Sequence, residues 1–250
     1  MMLFVALCVA PALAADLPSD ASDFAWATHP GAQVPLDTEL RDEAGRPATL
    51  GQFVHGAPVI LDLGYFHCPT LCGVVRADLL NALGGSGLKE ARDYTLVSVS
   101  IDPAETPADA ASAKQADLAQ APFATGRDWH YLTGGQDQVA AIAGAVGFRD
   151  RYDPQLKQFL HPTGLAVLTP AGVVSGYLLG VGYSPGDLRA AVLRARGGGI
   201  ARDVLPILLI CFHFDSTTGR YSLEVMKVLR LAGLLTVLTL AGLVIVLRRR

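Results

Sequence analysis

The sequence predicts an α/β domain, a sheet flanked by helices, carried by one C-terminal transmembrane helix. Two patterns point to this. Between residues 48 and 198, apolar runs of strand length alternate with stretches of helical length and periodicity. The chain then closes on "LAGLLTVLTLAGLVIVL" (231–247), a charge-free run followed by Arg248, Arg249 and Arg250.

The elements follow in order. "VILDLGY" (59–65) is a short apolar run and reads as a buried strand. Leu71, Val74, Val75, Leu79 and Leu83 form the apolar stripe of a helix expected to stop at Gly84-Gly85. "YTLVSVSID" (94–102) is a second strand, and the helix after it starts at Pro107, a residue suited to the first turn, and runs to Gln120. "WHYLTG" is a third strand, and "QDQVAAIAGAVG" is a helix closing on Gly147. "LAVLTPAGVVSGYLLG" is a hairpin turning at Pro170-Ala171-Gly172. Ser184 caps a last helix with Pro185 in its first turn. "RGGG" (196–199) marks the end of the domain, and residues 199–227 form a juxtamembrane segment.

The ends set the topology. "MMLFVALCVAPALAAD" joins an apolar run to a small-residue site at Ala12-Leu13-Ala14, so residues 1–14 read as a signal peptide, with an uncleaved anchor as the alternative. Residues 15–47 are a polar lead-in punctuated by Pro and Gly, ending at "DEAGRP". Residues 228–247 are the expected span, about 25–30 Å at 1.5 Å per residue. The three terminal arginines (248–250) form a cytoplasmic tail by the positive-inside rule. The expectation is a single-pass protein of the cytoplasmic membrane with its domain on the periplasmic, extracytoplasmic side. A net charge of −3 without a basic stripe excludes a nucleic-acid binder.

Four cysteines occur, and Cys8 would leave with the signal segment. Cys68, Cys72 and Cys211 remain, an odd number that excludes a fully paired disulfide framework. In "YFHCPTLCG" (65–73), Cys68 falls where the strand gives way to the helix, and the helix dipole there favours thiolate. Cys72 lies one turn further on. That spacing is workable for a disulfide and comfortable for two thiolates gripping one ion, Cu(I) by softness, with zinc as competitor. A third donor would come from His29, His55, His67, His130, His161 or His213. His161, in "FLHPTGLAVLT", stands out because its loop enters the hairpin strand. A lone loop histidine is more often structural.

Four segments resemble the Sco/SenC family. "LDLGYFHCPTLCG" is similar to its C-x-x-x-C segment after the first core strand. "VSVSIDPAETPADA" is similar to its strand with Asp-Pro and a Thr-Pro helix start, and "WHYLTGGQDQVAAIAGAVGF" to its Trp…Leu-Thr-Gly segment. "FLHPTGLAVLTPAG" is similar to its histidine segment before a hairpin. The resemblance covers about residues 30–195, in the family's order. It implies a thioredoxin-like fold and one copper ion bound by Cys68, Cys72 and His161. It also implies a role in assembling the dinuclear copper site of cytochrome c oxidase subunit II, or of another copper-accepting partner. Leu160 stands where the family usually has an acid before the histidine, and Thr70 and Gly73 where it often has Asp and Pro. Thioredoxin-like folds often have a cis-proline before this strand, which gives a cis His161–Pro162 as a further expectation.

Two functions compete. The favoured one is a copper-binding assembly factor, a metallochaperone rather than an enzyme. The alternative is a thiol–disulfide oxidoreductase in which Cys68 and Cys72 are the redox-active pair and no copper is carried. A peroxidase would want an arginine by its cysteine, and Arg76 is the nearby candidate. His67 reads as a local influence on Cys68, and Asp102 as a turn former at a strand end. Cys211 and His213, two apart in "ILLICFHFD", read as a packing segment, with a second metal site as the alternative.

Overall fold

A computed structural model describes residues 24–68 and 72–201, and Thr236, which is helical. The chain divides into two units, Met1–Ile210 and Cys211–Arg250. The expected signal peptide, the span at 228–247 except Thr236, Cys8, Cys211 and His213 lie outside the described residues. No helix among the described residues is long and apolar enough to cross a membrane.

Nine strands and four helices are described: β1 (Glu39–Arg41), β2 (Pro47–Thr49), β3 (Val59–Gly64), α1 (Cys72–Ser86), β4 (Thr95–Ser100), α2 (Pro107–Gln120), β5 (Trp129–Leu132), α3 (Gln136–Val146), β6 (Arg151–Asp153), β7 (Gln158–Leu160), β8 (Gly164–Leu168), β9 (Val174–Leu179) and α4 (Pro185–Arg196). Five strands form the central sheet in the order β5-β4-β3-β8-β9. β3, β4 and β5 are parallel, and β8 and β9 run antiparallel to their neighbours. This mixed sheet flanked by helices fits the thioredoxin-like fold.

β3 is buried on both faces, and its alternate residues enter two different cores. Leu61 and Leu63 pack with Val97, Val99, Ala166 and Leu168 beneath Val139, Ile142 and Val146 of α3. Ile60 packs with Leu96, Tyr131 and Leu165 beneath Leu79 and Leu83 of α1, Ala110 of α2, and Leu188 and Val192 of α4. α2 begins and ends where the sequence expects it. Thr106 Oγ1 accepts from the Asp109 amide while Asp109 Oδ2 accepts from the Thr106 amide, a reciprocal cap. Gly147 ends α3 at φ 72°, and a Cβ there would lie 1.7 Å from the Ala27 carbonyl oxygen.

Two expectations for α1 need correction. α1 runs through Gly84-Gly85 to Ser86. Those glycines admit neighbours: a Cβ on Gly85 would lie 2.9 Å from Pro185 Cγ, and one on Gly84 3.1 Å from Phe123 Cε1. Val74 is outside the apolar stripe, 47% exposed on the first turn of α1. Two hairpins, β1–β2 and β6–β7, were also not anticipated, because three-residue strands are too short to show alternation. In the second, Asp153 Oδ1 accepts from the Gln155 and Leu156 amides and turns the chain. Before β1, Trp26 and Val34 are buried, and Trp26 Nε1 donates to the Thr163 carbonyl (3.1 Å), tying residue 26 to the loop after His161.

Candidate metal and redox site

β3 ends at Gly64, and Tyr65, Phe66 and His67 lead to Cys68. Cys68 is half-buried, disulfide-bonded, and packed on the core cluster that holds Tyr65 and Phe148. Position 72 opens α1, and the Cys72 side chain lies outside the described ones. Among the described residues no three His, Cys, Asp or Glu side chains converge as a metal site.

His161 lies between β7 and β8, half-buried. Its Nδ1 is 3.0 Å from the Pro162 carbonyl oxygen. A carbonyl can only accept, so Nδ1 carries the proton and Nε2 the lone pair, the tautomer that binds a metal through Nε2. Burial pushes the imidazole below its usual basicity, which the Pro162 carbonyl only partly offsets. The ring meets Tyr65 edge-on, with centroids 5.8 Å apart, and Phe148 at 5.7 Å. His161 therefore packs against the Tyr65 corner that leads to Cys68. The His161–Pro162 bond is trans, against the cis expectation, since no cis bond occurs among the described residues. Trans is the lower-energy isomer by about 0.5–1 kcal/mol, and nothing in the sequence itself forces the other.

The other described histidines lie elsewhere. His29 and His55 are exposed, outside helices and strands. His130 on β5 packs its ring on Phe53 with centroids 4.3 Å apart. His67 is exposed, with Nδ1 3.2 Å from Glu105 Oε1 and Nε2 3.7 Å from Asp109 Oδ1. Arg76 is directed to Asp117 on α2 through Nε and Nη2 (3.0 and 2.8 Å), away from a peroxidatic role. Asp102 forms the expected turn, its Oδ1 accepting from the Ala104 amide.

The residue that holds the cysteine loop carries no mark in the sequence. The Glu105 side chain is 5% exposed. Its Oε2 accepts from the Phe66 amide (2.8 Å) and Ser100 Oγ (2.6 Å), and its Oε1 accepts from the His67 amide (2.7 Å). One carboxylate thus ties the two residues before Cys68 to the end of β4. "SIDPAETP" contains it, but nothing local shows that it reaches back to residues 66 and 67. Glu105→Gln puts an NH₂ where one acceptor oxygen stood, so at least one of the two amides loses its partner. The expected cost is about 1–3 kcal/mol. Hydrogen exchange at the Phe66 or His67 amide should quicken selectively, and unchanged exchange at both would reject the clamp.

The SCO1/SenC family model matches residues 28–194. No curated protein matches the chain significantly. Among solved structures, a protein from Aquifex aeolicus VF5 is 26% identical with a TM-score of 0.60, covering 67% of this chain and 94% of its own. ScoI from Arabidopsis thaliana, solved with copper bound, is 17% identical with a TM-score of 0.53, covering 68% and 98%. BsSco, described as a member of the Sco family of cytochrome c oxidase assembly proteins and bearing a disulfide switch, is 20% identical with a TM-score of 0.52, covering 67% and 96%.

Proposed function

The chain belongs to the SCO1/SenC family, and from that premise we propose that it is a copper metallochaperone. It takes one Cu(I) as cargo through Cys68, Cys72 and His161 and passes it to the dinuclear copper site of cytochrome c oxidase subunit II, or to another copper-accepting protein. The observation that carries this reading is His161: a neutral imidazole with its proton on Nδ1, packed against the corner that leads to Cys68. Copper-bound neighbours such as Arabidopsis ScoI support it. Two soft thiolates and one imidazole form a donor set that favours Cu(I).

The disulfide at Cys68 adds a condition. A sulfur in a disulfide is no thiolate donor, so two-electron reduction must precede loading. Metal analysis of the full chain in detergent should find about one Cu(I) per chain after reduction by a dithiol and almost none in the oxidised protein. Equal loading of both forms would reject the reading. The same disulfide favours a second reading, a thiol–disulfide oxidoreductase that reduces the cysteines of the acceptor before metal arrives.

Placement completes the proposal. Residues 228–247 span the cytoplasmic membrane, residues 1–14 are the signal segment, and the domain faces the periplasm. The charge-free run and the terminal arginines support this. A reporter fused after Arg250 that is active only in the periplasm would overturn it.

A further inference from the structure

Trp26 lies before β1 and is 8% exposed. Backbone bonds strap it to the end of α3, where it forms an antiparallel bridge with Phe148. The Ala27 amide donates to the Gly147 carbonyl (2.7 Å), and the Arg149 amide to the Ala25 carbonyl (3.2 Å). Further along, the His29 amide donates to Tyr177 Oη on β9, and that hydroxyl donates to the Val146 carbonyl, each at 2.8 Å. The indole packs against the Phe148 and Tyr177 rings, with centroids 5.1 and 5.2 Å away.

Two routes lead from that indole to the His161 ring. The first is polar. Trp26 Nε1 and the Gly180 amide both donate to the Thr163 carbonyl, each at 3.1 Å, which fixes the backbone directly after Pro162. The Pro162 carbonyl in turn accepts from His161 Nδ1 (3.0 Å) and sets the tautomer. A Cβ at position 164 would lie 2.9 Å from Trp26 Nε1, so a glycine there lets the indole reach the carbonyl. The second route is apolar. Phe148, 3% exposed, meets the indole edge-on and also packs on the imidazole, 5.7 Å away at 33°. A buried indole N–H needs some acceptor. Here the acceptor is the carbonyl one peptide beyond the group that orients His161.

We propose that Trp26 is the positioning residue of His161. It holds the Pro162–Thr163 backbone and the Phe148 ring so that the imidazole keeps its proton on Nδ1 and presents Nε2 in one direction. The proposal rests on His161 as a copper ligand. Outer partners that fix a histidine's tautomer and ring direction raise its metal affinity, because a donor already in place has no ordering cost on binding. Trp26 acts through these neighbours and donates nothing to the metal itself.

Two variants and two readouts test this. Trp26→Phe keeps an aromatic ring against Phe148 and removes the N–H, and Trp26→Ala removes both routes. The Cu(I) affinity of the reduced full chain in detergent is measured by competition with the chelator bicinchoninate. It should fall about 10-fold in the first variant and about 100-fold in the second, the range seen when the outer partner of a ligand is lost. The second readout uses no metal. The ring nitrogen NMR signals of His161, assigned by their loss in His161→Ala, should show one tautomer in the reduced, copper-free wild type. Both Trp26 variants should show a mixture with the Nε2–H form. A substitution that merely loosened the fold would lower the unfolding temperature without mixing the tautomers. The proposal requires both changes. Unaltered affinity or an unaltered tautomer in folded Trp26→Phe overturns it, and that variant decides alone if Trp26→Ala does not fold. Wild-type copper affinity in His161→Ala would instead overturn the ligand reading. Copper binding that depends on His161 and not on Trp26 overturns only the positioning role.

Discussion

His161→Ala should lower the copper affinity of the reduced protein by more than about 100-fold, because loss of even an outer partner of a metal ligand commonly costs 10–100-fold. The Cys68–Cys72 couple should still oxidise and reduce. Ligation and exchange depend on different properties. On the proposed ligation, deleting the imidazole removes a donor atom outright. Exchange depends on thiolate fraction, leaving-group acidity and access, and a residue on another loop changes these little, so the potential should move by no more than about 30 mV, or about 1.4 kcal/mol. Cysteine variants should lose both activities and so discriminate nothing. Packing must be separated from ligation, because the ring rests on Tyr65 and Phe148. His161→Phe supplies that control by keeping an aromatic ring there without a donor nitrogen. Both variants should lose copper on metal analysis, while thermal unfolding of the Phe variant stays closer to wild type. Undiminished copper in both would leave the oxidoreductase reading, with His161 as a packing residue.

What was legible in the sequence depended on how local its cause was. The limits of α2 could be read because Pro107 and the Thr106–Asp109 cap are neighbours in the chain. The β8–β9 hairpin could be read from two apolar runs about a Pro-Ala-Gly turn. Gly84-Gly85 misled because a glycine pair usually ends a helix, whereas here it makes room for Pro185 and Phe123, distant in sequence. The same division holds at the site. Cys68 and His161 stand in recognisable segments. Glu105 and Asp62 carry no local mark. Glu105 acts on amides 38 and 39 residues earlier. Asp62 looks like one polar residue in a strand until the sheet surrounds it.

Arg76→Met should destabilise the domain by about 3–5 kcal/mol, the usual consequence of removing one partner from a buried ion pair. The Arg76 and Asp117 side chains are 15% and 7% exposed. The guanidinium also donates to the Ala113 carbonyl and lies 5.8 Å over the Tyr131 ring, and Tyr131 Oη donates to Asp117 Oδ2 (2.5 Å). Without Arg76, the buried Asp117 carboxyl loses its ion-pair partner, and Asp62 loses the attraction that opposes its upward shift. The pH dependence has a definite sign. A carboxyl whose folded pKa is raised gives its full stability below the unfolded value, about 3.9, and loses it as pH rises through the folded value. The deficit of Arg76→Met should therefore be larger at pH 8 than at pH 5, read as denaturant midpoints at both. Removing the whole network with Arg76→Met, Asp117→Leu and Tyr131→Phe should recover most of the loss, since apolar replacement of a buried ion pair is often neutral. A loss below about 1 kcal/mol, or a triple variant weaker than the single one, would show that these charges do not act as one unit.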